Sequence, residues 1–205
     1  MTNAKIPEDV QRMLRQASSD AKGQPFVCRI FTPEWNSFVE FWAPRIHGFV
    51  LQALGPYGVN PRGEILEITD GFHIAGANAS FDLSDGQIRL ATSVEGLAGV
   101  TLEKLTHEMT HGALARFPEG DPFYEEGWVD YSVWVMAHAP CWGVYRDDMI
   151  KAAADNIRNR RERALKTGND YDRKRWSGGF YASVAIGPYI VAMLRQRKIE
   201  GNLTW

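Results

Sequence analysis

The sequence predicts an α+β fold, with a helix and a small mixed sheet in residues 1–100 and a mainly helical half in residues 101–205. Short β-rich segments separated by glycine and Asx turns fill much of the first half, whereas from Thr101 apolar residues recur at helical spacing almost to the end. At 205 residues the chain is long enough to bury one substantial core and too short for two, so a single domain is expected.

The opening stretch MTNAKIPEDVQRMLRQASSDAKG places Val10, Met13, Leu14 and Ala17 on one helical stripe. It has no long apolar run and no small-residue cleavage site, so it does not read as a secretory signal. PFVCRIF at 25–31 is rich in β-formers and precedes a Thr-Pro pair, which predicts a strand. A helix follows in TPEWNSFVEFWAPRIHGFVLQALG: Pro33 stands near its start, and Phe38, Phe41, Trp42, Ile46, Phe49, Val50, Ala53 and Leu54 fall at helical spacing. Pro44 is a candidate kink. After the turn-rich GPYGVNPRG, the segments EILEITD, FHIAGANASFDL and GQIRLAT read as short strands. In the last of them Ile88 and Leu90 point one way, Arg89 and Ala91 the other. The second half predicts helices at 101–116, 122–138, 145–166 and 179–197, broken by FPEGDP at 117–122. WSGGFYASVAIGPYIVAML is the longest uncharged stretch, but its apolar portions are too short to span a bilayer, and a buried helix is expected there.

Composition excludes more than it identifies. With 44% apolar residues, 23% charged residues and a formal net charge of -2, nothing pulls the whole chain toward nucleic acid or a membrane, and a cytoplasmic location is the expectation. Cys28 and Cys141 are far apart and lack CxxC spacing, so two reduced thiols are expected. IRNRRERALK and DRKRW are basic, but Glu162, Asp170 and Asp172 are interleaved, which predicts a solvated helix face. His47 and His73 read as structural histidines, and His138 as a residue favouring a helix C-terminus.

The chemistry concentrates in LTHEMTHGALARF, residues 105–117. Composition alone would place an HExxH in on the order of one such chain in a hundred, so its context has to decide. Thr101 is a plausible N-cap and Glu103 a first-turn acid, which puts the motif inside a helix. At about 100° per residue, His107 and His111 lie roughly 40° apart on one face. Leu102, Leu105, Met109 and Ala113 cluster opposite, so burying them aims both imidazoles into a cleft. A catalytic zinc takes three protein ligands and leaves a position open. A third histidine six residues on, after a glycine, is absent, since Leu114 and Phe117 stand there. FYEEGWVDYSVWV offers Glu125 or Glu126 instead. Asp130 lies one turn after Glu126 and would orient a ligating histidine, whereas Val129 follows Glu125; Glu126 is therefore the expected ligand and Asp130 the orienting carboxylate. Glu125 is expected to be an exposed neighbour or part of a specificity pocket.

HEMTH followed by a helix with Glu126-x-x-x-Asp130 resembles the gluzincin zinc metallopeptidases, the superfamily of thermolysin and many aminopeptidases. EEGWVDY is also similar to the EGxAxY helix of several gluzincin families, through Glu126, Gly127, Asp130 and Tyr131. The resemblance runs from GQIRLAT through EEGWVDY, and the interval between His111 and Glu126 is shorter than in thermolysin-like enzymes. It implies a compact zincin-like catalytic domain with one Zn2+ per chain, a peptide or protein substrate, and Glu108 as the base that takes a proton from the attacking water. It also implies an oxyanion donor from a later helix, with Tyr181 the first candidate and Tyr171, Tyr189 and His138 the others. WSGG departs from the family here, with Trp176 where a tyrosine is expected. Finally, it implies an edge strand that receives the substrate just before the metal helix, here GQIRLAT, with Gln87, Arg89 and Ala91 as substrate-binding residues. A catalytically silent zincin-fold module, or a zinc hydrolase of a non-peptide amide, is the alternative.

Overall fold

The computed structural model describes residues 27–28, 31–54, 67–70, 79–82, 86–114, 122–185, 188 and 191–192. The expected opening helix, the GPYGVNPRG connection, His73, Tyr189 and the side chain of Tyr181 lie outside the described residues.

A small sheet and a set of packed helices share one core. The sheet holds β1 (Val27–Cys28), β2 (Glu67–Asp70), β3 (Ala79–Asp82) and β4 (Gln87–Leu90) in the order β1-β2-β4-β3. β1, β2 and β4 run parallel, and β3 is antiparallel to β4. Ile68 pairs with Ile88, which in turn faces Phe81. Alternation along β4 is as expected, since Ile88 and Leu90 are fully buried while Gln87 and Arg89 are half-buried.

One expectation about the sheet fails. β4 stands just before the HExxH helix, but it is an interior strand, hydrogen-bonded to β2 on one side and β3 on the other. Its backbone groups are already paired, so it cannot receive a substrate strand. Ala91 lies past the end of β4, is buried, and precedes the 3-10 turn Thr92–Val94. Among the described residues the open edge on this side is β3.

Helix α1 (Pro33–Leu54) runs through Pro44, which sits on its exposed side, and buries Phe38, Trp42, Ile46, Phe49, Val50, Ala53 and Leu54 as the spacing predicts. Its aromatic residues meet those of a 3-10 segment, Pro140–Tyr145. Trp42 stacks on Trp142 with ring centroids 6.0 Å apart, and Phe49 meets Trp142 edge-on at 5.8 Å. The Trp142 indole N–H donates to the Met136 carbonyl at 2.7 Å, which meets the one polar need of a fully buried ring.

Helix α2 (Ala98–Leu114) carries the motif and starts three residues before Thr101. Thr101 is therefore not its cap: its hydroxyl reaches back to the Val94 carbonyl at 3.0 Å. The helix is buried nearly all round. Leu102, Leu105, Met109 and Ala113 face the core as expected, and the buried Thr106 and Thr110 hydroxyls donate to carbonyls one turn back at 2.7 Å each. Helices α3 (Pro122–Ala137) and α4 (Arg146–Thr167) fall close to their expected bounds. Gly99 of α2 lies so near α4 that a Cβ there would come within 2.5 Å of the Asp148 Cβ.

Helix α5 (Asp170–Ala185) differs from the expected 179–197. Gly168, at φ 60°, ends α4, and the Asn169 side chain accepts from the Asp172 N–H at 2.7 Å to open α5. The Gly-Asn pair is thus a stop and a start in succession, and the charged run DYDRKRW forms the first turns of a helix. Among the described residues no helix is long and apolar enough to cross a membrane.

Candidate metal centre

α2 and α3 pack side by side, and their facing residues form the site. His107 and His111, one turn apart on α2, bring their rings to a centroid separation of 4.9 Å. Glu126, in the first turns of α3, reaches between them. The His107 and His111 Nε2 atoms lie 3.2 Å apart; Glu126 Oε1 is 3.4 Å from His111 Nε2, and Oε2 is 3.6 Å from His107 Nε2. These three side chains have the spacing to hold a metal ion.

A carboxylate backs each histidine. His111 Nδ1 lies 2.9 Å from Glu125 Oε1; because a carboxylate only accepts, Nδ1 carries a hydrogen and Nε2 is the ring atom that faces the cluster. His107 Nδ1 lies 3.5 Å from Asp130 Oδ1, an ion-pair distance longer than a hydrogen bond. Asp130 thus stands beside His107, and Glu125, expected as an exposed neighbour or a pocket residue, has a side chain 36% exposed and hydrogen-bonds the second histidine.

Arg175 is the residue that sequence reasoning missed. It sits in the run DRKRW, read as solvated, yet it is only 6% exposed. Its Nε and one terminal nitrogen donate to the two Asp130 oxygens at 2.6 and 2.7 Å. The other terminal nitrogen donates to the Tyr171 hydroxyl at 2.6 Å and lies 2.5 Å from Glu126 Oε2. That last contact is an ion pair without well-directed hydrogen-bond geometry, since Glu126 Oε2 has no hydrogen-bond partner by angle. The signal available was indirect: three carboxylates within six residues of a helix that must pack call for a buried cation.

Electrostatics follow from this arrangement. Burial works against charge on His111, but hydrogen bonds to Glu125 and Glu126 outweigh it and push its pKa up to about 10. Burial likewise works against charge on Glu126, yet both histidines hold its carboxylate far below the usual range. Arg175 is kept charged despite burial, by Asp130 first and Glu126 next. Glu108 differs from these carboxylates. It is 6% exposed, and burial raises its pKa against the pull of His107 and His111.

The remaining candidates divide. Tyr171 is engaged with Arg175, which places its hydroxyl within this network. His138 follows Glu126 by twelve residues, about 18 Å along the helix, and its Nδ1 bonds the Trp134 carbonyl at 2.8 Å, so it stands away from the cluster. Tyr181 belongs to α5. Gln87 and Arg89 lie on the interior strand β4, and Arg89 faces Asp82 of β3 at 3.8 Å. It is β3 that leans on α2: a Cβ at Gly112, next to His111, would meet the Phe81 ring at 3.4 Å.

No protein-family model matches the chain, and no curated protein or solved structure matches it either.

Proposed function

We propose that this chain is a zinc-dependent metallopeptidase of the gluzincin kind, with His107, His111 and Glu126 holding the ion and Glu108 moving the proton. One observation carries the reading. A zinc with N and O ligands at about 2.0–2.2 Å in tetrahedral geometry needs its ligand atoms about 3.3–3.5 Å apart. Here the two Nε2 atoms lie 3.2 Å apart and Glu126 Oε1 lies 3.4 Å from His111 Nε2, while the other Glu126 oxygen comes to 3.6 Å from His107 Nε2; one ligand atom from each residue falls within 4.8 Å of the others. Nitrogen lone pairs that face each other so closely repel unless a proton or a cation lies between them, and the surrounding carboxylates favour positive charge at that point.

Zinc, when bound, supplies Lewis acidity toward a carbonyl oxygen and toward water. The chain's own residues do the rest. Glu108, buried beside the pair and raised by that burial, accepts the proton of the attacking water and returns it to the leaving amine. Arg175 holds one Glu126 oxygen, which leaves the other for the ion. β3, at the edge of the sheet among the described residues and with Phe81 against Gly112, offers an extended peptide main-chain pairing next to His111. A silent zinc module would have no use for a buried carboxyl at position 108, and this favours turnover.

The test is cleavage of a peptide library by zinc-loaded wild type and by Glu108→Gln, with zinc content measured on both. Loss of about 10²–10⁴ in rate with zinc retained is the expected result. Equal rates in the two proteins, or turnover confined to non-peptide amides, would contradict the proposal.

A further inference from the structure

On the far side of the Asp130–Arg175 pair a cavity of about 460 Å³ opens between α3, α4 and α5. That volume lies within the range of about 300–1,000 Å³ typical of small-molecule sites. Its walls are Tyr131 and Trp134 from α3, Ile157 from α4, and Trp176 and Phe180 from α5. Trp176 and Phe180, one turn apart, are 40% and 65% exposed, an unusual display for two large aromatic residues.

The charge around this apolar space has one sign. Arg158, Arg160 and Arg161 of α4 line it together with Arg175, and Asp130, the one carboxylate among its described lining residues, is consumed by Arg175. Arg158 is paired with Asp155, and Arg160 lies 3.7 Å from Asp172. Arg161 makes no ion pair among the described residues; its guanidinium stands 6.0 Å from the centroid of the Trp176 ring, beside the exposed aromatic wall. An apolar interior with a cationic, partly uncompensated rim selects a molecule with an apolar body and an anionic head. We propose that this cavity binds an anionic amphiphile, a carboxylate on an aliphatic or aromatic body the size of a medium-chain fatty acid. Neither histidine nor Glu126 lines it, although it shares the Asp130–Arg175 pair with the candidate metal centre.

Calorimetric titration of the purified full chain with decanoate below its micellar concentration tests the proposal, with decyltrimethylammonium as the cationic counterpart. Two variants accompany it: Arg161→Glu, on the exposed face of α4, and Ala154→Phe, which fills the cavity from the same helix. One saturable site for decanoate is expected, weakened about tenfold or more by Arg161→Glu, with the cation binding far less well. Ala154→Phe should weaken decanoate by a similar factor. Decanoate binding that does not saturate, that Arg161→Glu leaves unchanged, or that the cation equals would overturn the proposal, leaving arginine stems packed over aromatic rings.

Discussion

Each histidine of the pair has a carboxylate behind it, and the two carboxylates are not equivalent. Glu125 is close enough to orient the His111 ring by a hydrogen bond to Nδ1, whereas Asp130 gives both oxygens to Arg175 and reaches His107 only as a charge. Glu125→Gln should therefore weaken zinc binding by about 10–100-fold, as loss of such an orienting carboxylate does, while leaving the helix intact. Competition with a zinc-sensitive dye measures it, and unchanged affinity would mean that His111 is oriented by packing alone. At this scale the histidines, Glu108, Glu126 and Asp130 were legible because positions i and i+4 on one helix meet whatever the tertiary fold. Arg175 was not, because its burial depends on carboxylates 45 residues earlier in the chain, and nothing in DRKRW distinguishes the arginine that turns inward.

Between elements, the site depends on how closely α3 and α5 approach. Gly127, next to the candidate ligand Glu126, faces α5 so tightly that a Cβ there would collide with the Arg175 carbonyl and lie 2.5 Å from the Gly179 nitrogen. Gly127→Ala must push α5 away, and with it Arg175. A destabilisation of about 1–3 kcal/mol is expected from such overpacking, accompanied by weaker zinc retention. Denaturant unfolding with and without zinc checks both, and full retention of stability would show that the helices separate freely. The glycine was visible in the sequence as part of a family-like segment, but its neighbour on α5 was not. The sheet shows the same limit: strand segments were legible from alternation, while their order was not, because β3 folds back beside β4 and takes the edge. The start of α5 was readable in Gly168 and Asn169, and was missed because polar first turns resemble loops.

Over the whole molecule the formal charge is close to balanced at -2, which hides an uneven distribution. Carboxylates gather where α2 meets α3, and arginines line the cavity between α4 and α5. The α+β layout was legible from periodicity, because a switch from short alternating runs to helical spacing reports the class of fold without its topology. A metal between α2 and α3 is the central claim, and elemental analysis of purified wild type and Glu126→Ala tests it most directly. About one zinc per chain, largely lost in the variant, is the predicted result. Absence of zinc from the wild type after supplementation at neutral pH, or equal zinc in both proteins, would contradict it.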